Sequence, residues 1–196
     1  MPRGAAWRRV VPLRPARGGS HASLDVMAEA PPKSVRARQE LRLLLAVLDR
    51  AYDRRSWHGT NLRGSLRRVS LREAAWRPSR SRHNIWEIVV HAAYWKYVAW
   101  RRLMGGARGS FPVRGSNWFP RAESATEAAW RSDIALLDRM HRSLRAAVAA
   151  LPESDLHRTP RGSAVSNFDL LSGVAAHDLY HAGQIQLLKR LSRFPR

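Results

Sequence analysis

Apolar residues recur at steps of three and four in four long stretches of this sequence, and no convincing alternating run marks a strand. The first stretch predicts a helix from Val35 to about Trp57, with Leu41, Leu44, Leu45, Leu48 and Tyr52 on one face and arginines and acids on the other. Trp57-His58-Gly59 ends it, with Gly59 as a left-handed terminator. Residues 60–83 read as a connection with short helical pieces. Leu62, Leu66 and Val69 keep helical spacing, Ser70-Leu71-Arg72-Glu73 is a capping box, and Pro78 closes the piece. The second long helix opens at Asn84, with Glu87 at its third position, and runs through Val89, Val90, His91 and Tyr97 to Leu103 before Gly105-Gly106. It is apolar nearly all round, which predicts burial on more than one side. The third opens with Ser124-Ala125-Thr126-Glu127 as a capping box and carries Trp130, Ile134, Leu137, His141, Leu144, Val148 and Leu151 up to Pro152. The fourth is capped by Ser166-Asn167-Phe168-Asp169, and its stripe is Leu170, Val174, His177, His181, Gln184 or Ile185, and Leu188.

Four amphipathic helices of this length predict an all-α four-helix bundle over residues 34–196. The 105–123 connection is rich in Gly, Ser and Pro and spans the length of such a bundle at about 3.3 Å per extended residue. Helices two and three then run parallel, giving up-down-down-up. Residues 1–33 differ: five arginines and eight Pro or Gly residues with no sustained period predict a disordered tail, with Met27 as an alternative start. Arg8-Arg9 is followed by no apolar segment of a signal peptide.

Charge and composition narrow the function only a little. The 196 residues carry a formal net charge of +20, yet of the 35 basic residues only Lys33, Lys96 and Lys189 are lysine, and the arginines are scattered without a run. That distribution predicts non-specific, salt-sensitive attraction to polyanions rather than a nucleic-acid site. Absence of cysteine excludes disulfides, thiolate metal sites and a cysteine nucleophile. No apolar run approaches the roughly 20 residues of a membrane span. A cytoplasmic location with no membrane partner is the expectation.

The chemistry concentrates in Ala176-His177-Asp178-Leu179-Tyr180-His181-Ala182-Gly183-Gln184-Ile185. Histidines four apart lie on one helix face, and neutral imidazole is a ligand for zinc, nickel, copper or iron. In an up-down-down-up bundle His91 lies about 10 Å, and His181 about 16 Å, below the end where the first helix finishes. His91, His177 and His181 can then converge inside the bundle, and three imidazoles with an open position describe a catalytic type of metal site.

Asn84-Ile85-Trp86-Glu87-Ile88-Val89-Val90-His91-Ala92-Ala93-Tyr94-Trp95, followed by the histidine segment from His177 to Ile185, resembles the DinB/YfiT-like superfamily. The resemblance covers about residues 35–193. It implies an up-down-down-up bundle with a divalent metal, most often zinc or nickel, bound by His91, His177 and His181. It also implies a homodimer, and activities that include thiol-dependent S-transfer and isomerisation.

Further residues carry open alternatives. His58 is a candidate acid/base at the cavity mouth, or an exposed helix-terminal histidine. His141 is expected as a buried, hydrogen-bonded core residue. Glu87, Asp178 and Gln184 are candidates to orient the ligand rings; Glu87 and Asp178 equally fit capping or surface roles. Trp118 and Phe119 either cover the pocket or plug the core. The leading reading is a metal-dependent enzyme that performs hydrolysis or thiol transfer on a small substrate. With no cysteine in the chain, the thiol is a low-molecular-weight cosubstrate. The alternatives are a non-catalytic metal-binding bundle and an Arg-rich nucleic-acid-binding protein.

Overall fold

A computed structural model describes residues 33–106, 110–121, 126–160 and 163–193; residues 1–32 of the predicted tail and Ser124 lie outside them, whereas Lys33, the last residue of that predicted tail, is already helical. Among the described residues the regular structure is helical: α1 (Lys33–Tyr52), the short α2 (Leu62–Ser65) and α3 (Leu71–Ala75), α4 (Ile85–Leu103), α5 (Glu127–Ala149) and α6 (Asn167–Arg193), with one 3-10 turn at Glu153–Asp155. None of these helices is long and apolar enough to cross a membrane.

Local signals set most of the ends. Asn84 and Ser70 close reciprocal capping boxes with Glu87 and Glu73, a motif in which each cap contributes about 1 kcal/mol. Ser166 Oγ accepts from Asp169 N–H at the start of α6. At α5 the described cap is Thr126, whose side chain accepts from Ala129 N–H. Helix α1 ends five residues earlier than its pattern predicts, at Tyr52. The polar run Asp53-Arg54-Arg55-Ser56 offers no apolar face to bury, and Asn61 Nδ2 takes up the Arg54 carbonyl at 2.8 Å. Gly59 does adopt a positive φ of 98°, but in the turn beyond, and Trp57 beside it is fully exposed.

Side-chain pairings give the helix directions. Asp49 meets Arg145 and Tyr52 meets Asp138, so α1 runs antiparallel to α5. Trp86 Nε1 donates to Asp133 at 2.6 Å and Lys96 packs level with Tyr52 and His141, so α4 runs parallel to α5. Lys96 pairs with Asp178 while His91 meets His181, so α6 is antiparallel to α4. These directions are up-down-down-up for α1, α4, α5 and α6.

The core is in two parts. One cluster gathers Leu62, Trp86, Val89, Phe119, Leu137 and Ile185; the other gathers Leu44, Leu48, Ala99, Leu144, Val148 and Leu171. At one level, one from each of the four long helices, lie buried Tyr52, Lys96, His141 and Asp178. Val174, His181, Ile185 and Leu188 of the predicted α6 stripe are buried, and the buried face is wider on one side than predicted. Leu171 and Asp178 are fully buried, whereas Leu170 and His177 sit half-buried on the flank.

Candidate metal centre

His91 lies two turns into α4, the most deeply buried helix, with Val90 and Ala92 fully enclosed on either side. Across from it α6 presents His177 and His181. Each of the three rings offers one nitrogen, and those nitrogens lie within 4.8 Å of one another. His177 Nε2 stands at the middle, 3.1 Å from His91 Nε2 and 3.0 Å from His181 Nε2. His91 and His181 are buried; His177 is half-buried and provides the open side.

The outward nitrogens of the two buried rings are fixed by acceptors. His91 Nδ1 lies 2.7 Å from the Asn117 carbonyl oxygen and His181 Nδ1 lies 2.7 Å from Gln184 Oε1. Each Nδ1 therefore carries the proton and donates, which leaves the Nε2 lone pair facing inward. Gln184 is itself tied by Nε2 to the Tyr180 hydroxyl at 3.0 Å. Asn117 holds its carbonyl in place through an unusual backbone: φ is +60°, and Trp118 N–H bonds to Ser116 O across it at 2.7 Å. This is a γ-turn with a left-handed centre, a conformation that Asn tolerates better than most residues. The Asn117 side chain accepts from Trp95 Nε1 at 3.0 Å.

Burial keeps the rings neutral. His177 is pushed down to about 3 by burial and then by the neighbouring His181 and His91. Burial also lowers His181, to about 4, against the opposing bond from Gln184, and lowers His91 against the opposing bond from the Asn117 carbonyl. His177 has one ring proton, so at most one of its two Nε2 contacts can be a hydrogen bond. With the proton on Nε2 it can be directed at only one of the two facing lone pairs, and with the proton on Nδ1 all three lone pairs face one another. A cation removes that conflict: nitrogen–metal bonds of about 2.0–2.1 Å would bring all three lone pairs to one centre. The donor set, its tautomers and its anchored outer nitrogens fit a divalent ion.

Aromatic rings frame the site. Trp118 stacks on His91 at 3.8 Å, and His83 stacks on Trp118 at 3.6 Å. Trp95 stands 6.4 Å from His91 and 6.5 Å from His177, and Tyr180 stands 5.2 Å from His181.

The sequence model of the DinB superfamily matches residues 54–185, more than half of the chain. The chain belongs to the DinB superfamily. No curated protein and no solved structure matches it.

Within this DinB domain the other predicted residues take different places. Gln184 reaches the His181 ring. Glu87 does not: it is buried in its capping box, holds Arg77 through both oxygens at 2.7 and 3.0 Å, and binds His83 Nδ1 at 3.0 Å. Asp178 is neither on the surface nor on a ring; it is enclosed and pairs with Lys96. Burial pushes its carboxyl up, and the ammonium of Lys96 pulls it back. Trp118 packs on the site itself, whereas Phe119 plugs the core against Tyr94 and Phe111. His141 is buried, but Nδ1 has no hydrogen-bond partner and its ring stacks on Tyr52 at 3.7 Å instead. His58 is exposed and lies outside the three-histidine cluster.

Sequence reasoning gave no role to Asn117, His83 or Lys96. Lys96 did carry a signal, being a lone cation in an otherwise apolar segment. Gly115-Ser116-Asn117 signals a turn and nothing about where its carbonyl points.

Proposed function

We propose that this DinB protein is a metal-dependent enzyme that binds one divalent ion, zinc or nickel, through His91, His177 and His181. The observation that supports it is the convergence of three Nε2 atoms whose two buried rings are pinned from behind by Asn117 and Gln184. A bound ion supplies Lewis acidity and a low-pKa nucleophile, water or thiol, to a small electrophilic substrate. The protein's own residues do the rest. Asn117 and Gln184 fix tautomer and ring orientation, Trp118 and Trp95 limit water around His91, and half-buried His177 leaves an approach from solvent.

Hydrolysis and thiol transfer to a small substrate both fit this arrangement, and in the second the thiol arrives as a low-molecular-weight cosubstrate. The reading includes a homodimer. It is supported by apolar side chains left exposed on two helices, Leu43 and Val47 on α1 and Tyr180, Leu187 and Leu191 on α6.

Elemental analysis of the purified protein tests the metal, with about one ion per chain expected. Full occupancy in a His91/His177/His181 triple alanine variant would overturn the ligand assignment. Incubating metal-loaded protein with glutathione, mycothiol or bacillithiol and electrophiles, read by mass spectrometry, separates transfer from hydrolysis.

A further inference from the structure

We propose that the Lys96–Asp178 pair is a positioning device for the three-histidine centre, setting the register in which α4 meets α6. The inference rests on the metal-binding reading above and deepens it. Lys96 Nζ donates to Asp178 Oδ2 at 2.5 Å, and both side chains are 1% exposed. Asp178 Oδ1 has no hydrogen-bond partner, so the carboxylate is oriented by Lys96 alone. A pair enclosed in this way is a weak source of stability, because both ions give up their hydration, and an apolar pair of similar volume would serve the core as well.

An apolar pair would not fix the axial offset of the two helices. Hydrophobic contact is non-directional, whereas the Nζ–Oδ2 bond forms at one offset only. Lys96 lies five residues beyond His91 on α4, and Asp178 lies between His177 and His181 on α6. The pair thus ties the same two helices about one turn from the point where the imidazoles meet. The tolerance there is small. A slip of one residue moves a helix about 1.5 Å, and a slip of one turn about 5.4 Å, against Nε2 separations of 3.0 and 3.1 Å.

The neighbours brace the pair from the other two helices. The Tyr52 ring of α1 lies 4.9 Å from Lys96 Nζ and stacks on His141 of α5. The Tyr52 hydroxyl donates to Asp138, which Arg63 Nε also binds at 3.0 Å. Lys96, His141 and Asp178 thus form a buried polar group at the level of Tyr52, to which each of the four long helices contributes one side chain.

The test is a Lys96→Met/Asp178→Leu variant of the full chain, read by urea denaturation without metal and by zinc affinity in chelator competition. Expected are a urea midpoint equal to or above wild type and zinc affinity weakened at least about 10-fold. Adding His91→Ala to this variant should cost much less affinity than adding it to wild type. Wild-type zinc affinity in the folded double variant would overturn the proposal while leaving the metal site standing. If wild type itself bound no metal, the metal reading and this inference would fall together. Should the double variant not fold, Lys96→Met/Asp178→Asn carries the same two outcomes with less change in volume.

Discussion

The Asn117 carbonyl oxygen lies 2.7 Å from His91 Nδ1, although the two residues are 26 positions apart and joined through the long α4–α5 connection. A main-chain carbonyl does this work for His91, while a side-chain amide one turn away does it for His181. The two anchors therefore answer differently to mutation.

Asn117 acts through its backbone, so its identity matters mainly through φ. Asn117→Gly should keep the left-handed turn and hold zinc affinity within a few-fold, losing the bond to Trp95. Asn117→Val places a β-branched residue at φ +60° and should relax the turn, withdraw the carbonyl and weaken zinc binding about 10- to 100-fold. Chelator competition on the two variants checks this; equal affinities would show that the carbonyl does not matter.

Gln184 acts through its side chain. Gln184→Leu keeps the volume and removes the acceptor, leaving His181 Nδ1–H without its partner and its tautomer unfixed. Zinc affinity should fall about 10- to 100-fold, and Gln184→Glu, which still accepts, should restore most of it. A measured affinity unchanged in Gln184→Leu would remove Gln184 from the site.

These contrasts show what the sequence could and could not reveal. Caps and periodicities are local, so Asn84, Ser70 and Ser166 marked their helices and the fold class followed. His177 and His181 were legible because four residues nearly complete a turn, and His91 because it interrupts an apolar helix that must be buried. Asp178 was misplaced because the buried face of α6 is wider than its apolar stripe: it takes in Asp178 and leaves His177, one residue and about 100° away, at its edge. Glu87 was bound by Arg77 from the preceding connection, and the Asn117 carbonyl depends on a turn's backbone angles. Neither is written in spacing.

His58 tests the other direction. It is exposed and belongs to no part of the cluster, so His58→Ala should change stability by less than about 0.5 kcal/mol and leave zinc affinity at its wild-type value. A loss of turnover at full metal loading would instead place it on the reaction path.

The buried histidines give the metal-free protein a defined acid response. Burial, and then the nearby cations Lys96, Arg145 and Arg142, push His141 down to about 3, against an ordinary value of 6.5. The unfolded chain thus takes up a proton on this ring near pH 6.5 and the folded chain does so only near pH 3. Between those limits the unfolded state binds more protons. The stability contributed by neutral His141 is complete above about pH 6.5 and is lost as pH falls, at about 1.4 kcal/mol per pH unit. His177 and His181, at about 3 and about 4, add to the slope in the same sense when no ion is bound. His141→Phe keeps a ring against Tyr52, removes the unpartnered Nδ1 and removes one of these protons. Urea unfolding in the presence of EDTA, at steps between pH 6 and 4.5, should show a stability slope shallower by about 1.4 kcal/mol per pH unit in this variant. At pH 7.5 its stability should equal or exceed wild type, because an unsatisfied buried polar atom is gone. An unchanged slope would mean that His141 is already protonated in the folded bundle.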